Sequence, residues 1–307
     1  MYNFDVVIIG SGCAGLTASI YLSRSKINHL VISGDMEGGQ LINTSDIENY
    51  PGLFKDGKGV NGYEFMNNMI NQALFFGSKI EKEIVCNIKK IDEKFEIICK
   101  NKKIISKSVI IASGSTPIFL GVENEKKFYG NKGGVSVCAL CDANMCENEI
   151  VFVIGGGDSA CEESLILSKH CKKVYIVHRR NTLRASKIMQ DRVFNTSNIE
   201  ILWNSTVNKI VGDECVEGIE IKRNDENVYY ECFSVFIAIG SKPNTEFVED
   251  LLNLDENKYI KTENNVFTSI DGIFSAGDCC DPKYKQAITG CGMGCIAALE
   301  CIHYLEK

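Results

Sequence analysis

The stretch Asp5-Val-Val-Ile-Ile-Gly10-Ser-Gly12-Cys-Ala-Gly15 decides the fold of this chain. Its apolar run is typical of a buried strand, and the pattern Gly10-x-Gly12-x-x-Gly15 follows at once. A helix is predicted over residues 14–25 and a second strand over 28–33. Such glycines permit a tight turn, close helix–strand packing and the approach of a pyrophosphate to the helix N-terminus. The unit therefore indicates a dinucleotide-binding domain.

The same unit occurs a second time. Strand residues 150–154 lead into Gly155-Gly-Gly157-Asp-Ser-Ala160, followed by a predicted helix over 158–170 and a strand over 174–177. Both copies end alike, at residues 109–114 and 235–240, after alternating segments at 94–105 and 218–232 that indicate β-meanders. The repeat predicts an α/β fold with two Rossmann-like, three-layer dinucleotide-binding domains.

The second copy is predicted to be inserted in the first. Residues 268–278 and a closing helix near 294–304 have no glycine turn of their own, so they should complete the first domain. The expected boundaries are 1–115 with 245–307 for the first domain and 116–244 for the second. The linkers Ser115–Pro117 and Lys242–Asn244 both contain proline, as hinges often do.

Composition excludes several classes of function. The net charge of -7 argues against nucleic-acid binding, which favours a basic face. The first strand is expected to begin at Phe4 or Asp5, which leaves no room for a signal peptide, and no apolar run approaches the roughly 18 residues of a membrane helix. We therefore expect a cytoplasmic protein with no membrane or nucleic-acid partner.

Arginines follow the second strand of the second copy. His178-Arg-Arg180 and Arg184 stand where an acidic residue would hold the ribose 2′-hydroxyl of NAD. Guanidinium groups there match a 2′-phosphate, so the site should prefer NADPH, a solvated basic face being the alternative. In the first copy Ser33 replaces the acidic residue, and ribose contacts are expected from the loop 34–40.

One cysteine pair stands apart among the fifteen cysteines of the chain. Cys138-Ala-Leu-Cys141 has the spacing of a dithiol–disulfide couple, and the adjacent Asp142 can supply the proton that reduction requires. Half of a zinc site is the rival interpretation, but the adjacent Cys279-Cys280 are poorly spaced to complete it, so no metal is expected. The lone cysteines are interpreted as small buried apolar residues, with Cys146 incidental to the couple.

The chain resembles the low-molecular-weight thioredoxin reductases over its whole length. The matching stretches are Gly38-Gly-Gln-Leu41, Glu48-Asn-Tyr-Pro-Gly52, Cys138-Ala-Leu-Cys-Asp142, Gly155-Gly-Gly-Asp-Ser-Ala160, His178-Arg-Arg180 with Arg184, Gly277-Asp278 and Gln286-Ala287. The resemblance implies FAD in the first domain, NADPH in the second, thioredoxin or a thioredoxin-like protein as partner, and a homodimer.

Turn pattern and resemblance together give the candidate cofactor residues. For FAD they are Gly10, Ser11, Gly12, Ala14, Gly15, Ser33, Gly34, Gly39, Gln40, Leu41, Asn49, Ala112, Gly114, Gly277, Asp278, Gln286 and Ala287. For NADPH they are Gly155, Gly157, Asp158, Ser159, Ala160, His178, Arg179, Arg180, Arg184, Ile239 and Gly240.

The resemblance also implies roles for the redox segment. Cys141 is implied as the flavin-proximal thiol, Cys138 as the thiol that attacks the partner's disulfide and Asp142 as the acid. The second domain is implied to rotate, so that nicotinamide and disulfide take turns at one flavin.

The sequence departs from the family pattern at three places. Ala143 stands for the usual glycine after the aspartate, Lys285 for a common arginine, and Lys132-Gly-Gly-Val-Ser136 for a stretch that often carries a docking arginine. Three rival functions stay open at this point. They are a disulfide reductase for another carrier, a dithiol oxidase that needs no NADPH, and a nucleotide-binding redox sensor without turnover.

Overall fold

The computed structural model of the chain describes residues 2–44, 46–54, 57–130, 133–223 and 226–307. The chain forms two compact units: Met1–Ile42, Tyr50–Thr116 and Lys242–Lys307 make the first, and Asn43–Asn49 and Pro117–Ser241 make the second. Residues 43–49 thus lie with the second unit although they precede its predicted start. Lys132, part of the stretch singled out before the cysteine pair, lies outside the described residues.

The described residues form six α-helices, the first and fourth of which begin and end close to their predicted bounds. They are α1 Cys13–Arg24, α2 Gly62–Phe75, α3 Ala139–Asp142, α4 Asp158–Leu167, α5 Lys187–Phe194 and α6 Ala287–Leu305. The strands are β1 Tyr2–Ile9, β2 His29–Ile32, β3 Asp46–Ile47, β4 Val60–Asn61, β5 Lys79–Glu81, β6 Val85–Ile91, β7 Lys94–Cys99, β8 Lys103–Ile111, β9 Ser115–Pro117, β10 Val135–Ser136, β11 Ile150–Ile154, β12 Lys173–Val177, β13 Ile199–Leu202, β14 Ser205–Val211, β15 Gly218–Arg223, β16 Glu226–Glu231, β17 Ser234–Ile237, β18 Ser241–Pro243 and β19 Ile273–Ser275.

The first unit is built on a mixed sheet in the order β5-β2-β1-β8-β7-β6, with β19 also paired to β8. The strands β5, β2, β1, β8 and β19 are parallel. The predicted meander over 94–105 forms β7 and the first half of β8, and β6 adds a third antiparallel strand that was not predicted. Val6, Val7 and Ile8 of β1 are completely buried, because a central parallel strand is covered on both faces. This burial explains the uninterrupted apolar run in the sequence.

The second unit repeats this plan. Its parallel sheet has the order β10-β17-β11-β12-β13, and β14-β15-β16 form an antiparallel sheet of their own. The prediction of two units with the same α/β architecture is confirmed, and β11 has the predicted bounds Ile150–Ile154.

Helix α6 begins seven residues earlier than the predicted start near Gly294. A capping box between Gln286 and Thr289 starts the helix, and Gly290 and Gly294 continue it despite the low helix propensity of glycine. These glycines are needed for packing, since a Cβ at Gly294 would lie 2.2 Å from the carbonyl oxygen of Ala14 on α1. Tertiary packing thus overrides local propensity here.

The expectation that no apolar segment reaches membrane length was wrong for α6. This helix is long and apolar enough to cross a membrane by length and composition alone, which is weak evidence, because core helices meet the same criterion. Its buried residues Gly290, Cys291, Gly294, Ala297, Ala298 and Cys301 belong to the packed side of the first unit.

Most of the thirteen free cysteines behave as the sequence analysis expected. Cys99, Cys161, Cys232 and Cys301 are buried, and Cys295 is half-buried. Burial raises the pKa of Cys99 to about 11 and that of Cys301 to about 12, so both thiols stay protonated at neutral pH. These residues act as small apolar side chains.

Candidate functional site

The first glycine turn is shaped by backbone contacts. Gly10 has a φ of +110°, and a Cβ there would lie 2.1 Å from the carbonyl oxygen of Ala112. A Cβ at Gly15 would lie 2.0 Å from the carbonyl oxygen of Gly10. By contrast, a Cβ at Gly12 would meet no protein atom within 4 Å. Gly10 and Gly15 therefore serve packing, while Gly12 leaves open space at the N-terminus of α1.

That space belongs to a cavity of about 480 Å³ in the first unit. It lies at the carboxyl ends of the parallel strands, where open α/β sheets bind their ligands. Thirteen of the predicted FAD residues line it: Gly10, Ser11, Gly12, Ala14, Ser33, Gly34, Gly39, Gln40, Leu41, Ala112, Gly114, Gly277 and Asp278.

Asp278 is a half-buried acidic residue of this cavity. Burial, and next the charge of Asp281, raise its pKa to about 6, while Lys285 and a hydrogen bond with Ser115 act in the opposite direction. Lys285 itself donates from Nζ to the hydroxyl of Tyr259 at 2.8 Å. A half-buried carboxyl group in a cavity of this kind can accept a hydrogen bond from a ligand hydroxyl.

Four predicted FAD residues do not line the cavity. Gly15 lies behind the turn, Gln286 and Ala287 form the start of α6, and Asn49 belongs to the second unit. Their roles toward a flavin stay predictions.

Several cavity residues were not predicted from the sequence, including the polar Glu83, Asn244 and Glu246. Glu83 follows β5, and its carbonyl oxygen accepts the N–H of Gly34 at 3.1 Å. The signal that could have found Glu83 is its place just after a strand of the parallel sheet, but that strand is only three residues long. Asn244 reaches the cavity from the linker, and its N–H donates to the carbonyl oxygen of Gly114 at 3.0 Å.

The second glycine turn differs in how it is supported. A Cβ at Gly156 would lie 2.2 Å from Nδ1 of His178, so this imidazole packs directly beneath the turn. His178 is buried, and its Nε2 is 2.9 Å from the carbonyl oxygen of Thr182. Burial, aided by Arg184 and Arg180, lowers the pKa of His178, which keeps the ring neutral. His178 therefore supports the loop, and its predicted contact with NADPH stays a prediction.

The turn leaves its open side to solvent at Gly157, where a Cβ would meet nothing within 4 Å. Asp158 and Ser159 are exposed at the start of α4, and Ala160 is buried beneath Gly155. Asp158 accepts hydrogen bonds from the N–H and hydroxyl of Ser186, which lower its pKa. At the end of β17, Ile239 is half-buried and Gly240 exposed, with the Gly240 carbonyl oxygen accepting the N–H of Ile118 at 3.0 Å.

Arg179, Arg180 and Arg184 are exposed beyond the carboxyl end of β12. The Arg184 N–H donates to the carbonyl oxygen of Gly156 at 2.7 Å, which joins this loop to the glycine turn. Within the ranges that the structure describes, none of the three guanidinium groups forms an ion pair with a carboxylate. Their charges are available to an anionic ligand.

The cysteine pair forms a disulfide with a Cα–Cα distance of 5.3 Å. Cys138 precedes the short helix α3, and Cys141 and Asp142 both donate their N–H to the carbonyl oxygen of Cys138 at 3.2 Å. Ser136 joins the two ends of this segment. Its hydroxyl donates to Oδ2 of Asp142 and accepts the N–H of Cys138 at 3.1 Å. Cys138 and Cys141 thus form the predicted disulfide, and the carboxyl group of Asp142 belongs to the same short segment.

Solvent reaches the disulfide beside apolar side chains. Leu140, between the two cysteines, is 61% exposed, and Met145 is 40% exposed. The glycines before the motif are required by packing, because a Cβ at Gly133 would lie 2.4 Å from the Phe128 carbonyl oxygen and Gly134 has a φ of +97°. A larger side chain such as arginine does not fit at either position.

Comparisons with known proteins agree with this geometry. Residues 4–294 match the family described as pyridine nucleotide-disulphide oxidoreductase. The chain is 41% identical to a thioredoxin reductase of Rickettsia typhi, covering 98% of each chain, and 43% identical to one of Borreliella burgdorferi, covering 98% of this chain and 92% of the other. The crystal structure of thioredoxin reductase from Streptococcus pyogenes superposes with a TM-score of 0.92 at 37% identity, covering 99% of this chain and 98% of that one.

Proposed function

The chain belongs to the thioredoxin reductases of the pyridine nucleotide-disulphide oxidoreductase family, and we propose that it passes electrons from NADPH through FAD and Cys138–Cys141 to a thioredoxin disulfide. The observation that carries the proposal is the disulfide itself, half-exposed, with Asp142 held beside it by Ser136.

The first unit is proposed to hold FAD and the second NADPH. Open space at Gly12, Gly34 and Gly114 fits a dinucleotide along the carboxyl ends of the sheet, with its pyrophosphate at the N-terminus of α1. In the second unit, Gly157 and the three exposed arginines fit a nucleotide that carries a 2′-phosphate. The chemistry supplied by the two bound cofactors is the delivery of one electron pair from nicotinamide to the disulfide.

The protein's own part begins with the opening of the Cys138–Cys141 bond. Two electrons and two protons convert the disulfide into two thiols, and Asp142 is placed to give or take one of these protons. Cys138, as thiolate, then attacks one sulfur of the partner's disulfide to form a mixed disulfide. Cys141 attacks Cys138 in turn, which restores the internal disulfide and releases the partner as a dithiol.

Thioredoxin or a thioredoxin-like protein is the proposed partner. Curated relatives of nearly the same length carry the name thioredoxin reductase, and the exposed Leu140 offers an apolar contact beside the reacting sulfur. A cytoplasmic homodimer is proposed on the same family grounds.

Replacement of single cysteines tests the proposed path. Cys141→Ser should keep reduction of the flavin by NADPH and abolish reduction of thioredoxin, while Cys215→Ser, a free exposed cysteine of the same unit, should leave both reactions unchanged. Each variant is assayed for flavin bleaching and for NADPH consumption with thioredoxin and insulin as final acceptor. Thioredoxin turnover near the wild-type rate in Cys141→Ser would remove the disulfide from the path.

A further inference from the structure

A half-buried carboxylate outside the cysteine motif reaches the redox segment. Glu163 lies on α4, and its Oε2 accepts the N–H of Ala139 at 2.7 Å. Ala139 is completely buried and is the first residue of α3, the helix that carries Cys141 and Asp142. Glu163 therefore holds the first turn of the redox helix from a neighbouring helix of the same unit.

The charged side chains that act on this carboxylate are themselves carboxylates. Burial raises the pKa of Glu163 to about 7, and the negative charges of Asp142 on α3 and Glu162 on α4 act in the same direction, while the Ala139 N–H opposes them. Burial raises the pKa of Tyr129, and a hydrogen bond with Cys171 together with burial raises that of Cys146; the charge of Asp142 acts in the same direction on both. Glu163 and Asp142 are thus electrostatically coupled, and coupling between two sites is reciprocal.

We propose that Glu163 is a positioning residue for the Cys138–Cys141 couple, which fixes the start of α3 and links its own ionisation to that of Asp142. The inference rests on the proposed redox role of this disulfide. Reduction consumes two electrons and two protons when both sulfurs become thiols; when one sulfur stays a thiolate, it consumes one proton and adds a negative charge near both carboxyl groups. Glu163 then binds its proton more tightly in the reduced state, so reduction takes up additional proton near neutral pH.

The test uses the FAD-loaded protein without NADPH or thioredoxin. Wild type and Glu163→Gln are equilibrated anaerobically with dithiothreitol redox buffers between pH 5.5 and 8.5, quenched with N-ethylmaleimide, and analysed by mass spectrometry for the peptide that contains both cysteines. Glu200→Gln, a surface carboxylate on β13 paired with Lys173, is the matched control.

In wild type, a plot of the logarithm of the equilibrium constant for reduction against pH should change slope near pH 7. The same change of slope should persist in Glu200→Gln. Glu163→Gln should lack this change of slope. Its equilibrium constant for reduction should differ from that of wild type at pH 8 by a factor on the order of three to ten, as expected for a coupling of half to one pKa unit. Superimposable profiles for Glu163→Gln and wild type would overturn the inference while leaving the proposed function intact. A disulfide that does not titrate reversibly would instead overturn both.

A second variant separates the hydrogen bond from the charge. Glutamine can still accept the Ala139 N–H, but alanine cannot, so the reduced cysteines of Glu163→Ala should react with N-ethylmaleimide several-fold faster than those of wild type or Glu163→Gln. Equal rates in all three proteins would contradict the positioning role.

Discussion

The hydroxyl of Ser136 donates to the carboxylate of Asp142 while it accepts the N–H of Cys138, so one side chain fixes both the acid and the first sulfur of the redox segment. Neither bond could be inferred from the Cys-x-x-Cys spacing. The relationship gives the proposed acid a defined position before any partner binds.

Ser136→Ala should slow thioredoxin turnover by roughly tenfold to a hundredfold, because a hydrogen bond to a charged group contributes about 1.5–3 kcal/mol. Reduction of the flavin by NADPH should not change. Steady-state turnover with thioredoxin, compared with stopped-flow bleaching by NADPH, measures the two steps separately. Ser168→Ala, which loses only a bond to the Leu165 carbonyl oxygen at the end of α4, is the control and should match wild type in both assays.

Replacement of Arg179 and Arg180 by alanine should weaken NADPH binding far more than NADH binding. Each lost hydrogen bond to the 2′-phosphate weakens the free energy of NADPH binding by about 1.5–3 kcal/mol. NADH has no 2′-phosphate, so its binding does not depend on these bonds. The ratio of the two dissociation constants, measured by calorimetry, reports the effect. Arg192→Ala on α5 serves as control, and a ratio in the double variant equal to that of the control would show that the arginines do not bind the phosphate.

Leu140→Glu should raise the KM for thioredoxin several-fold with little effect on reduction of the flavin by NADPH. The leucine is 61% exposed between the reacting cysteines, where an apolar side chain contributes contact area to a docked partner. Ile188→Glu on α5 has the same exposure of 61% in the same unit and should leave KM unchanged. Equal effects from both substitutions would point to a general charge effect.

The contribution of Glu163 to protein stability should decrease as pH rises from about 4.5 to about 7. The pKa of Glu163 is raised from its ordinary 4.5 to about 7 in the folded chain, so the unfolded chain loses this proton at lower pH. The contribution is fully present below about pH 4.5 and is lost as pH rises through about 7. Melting temperatures of wild type and Glu163→Gln between pH 5 and 8 test this: the difference between them should change with pH. A difference in melting temperature that stays constant from pH 5 to 8 would contradict the raised pKa of Glu163.

The local part of the fold could be predicted from sequence. Glycine turns impose backbone geometry within a few residues, and the buried strand β11 was bounded correctly because its apolar run is interrupted by charged or glycine neighbours. Helix α6 was predicted too short, since its glycines have low helix propensity and the packing of Gly290 on Cys13 and of Gly294 on Ala14 is visible only in the structure.

The candidate sites could be predicted only in part. Motif residues such as Cys138 and Cys141 came together as their spacing requires, whereas Glu163 contacts Ala139 across 24 positions of sequence without a motif to mark the contact. The ring of His178 packs against Gly156, a contact that its place before the arginines in the sequence did not indicate. Contacts between distant segments depend on packing, which a single sequence does not reveal.

The central claim is most directly tested by an anaerobic titration of the purified protein with NADPH, followed by its visible spectrum. If FAD and the Cys138–Cys141 disulfide both lie on the electron path, the flavin band bleaches only after more than one equivalent of NADPH per flavin is consumed. In Cys141→Ser a single equivalent should suffice. A protein without a flavin band, or one whose flavin does not respond to NADPH, would contradict the account.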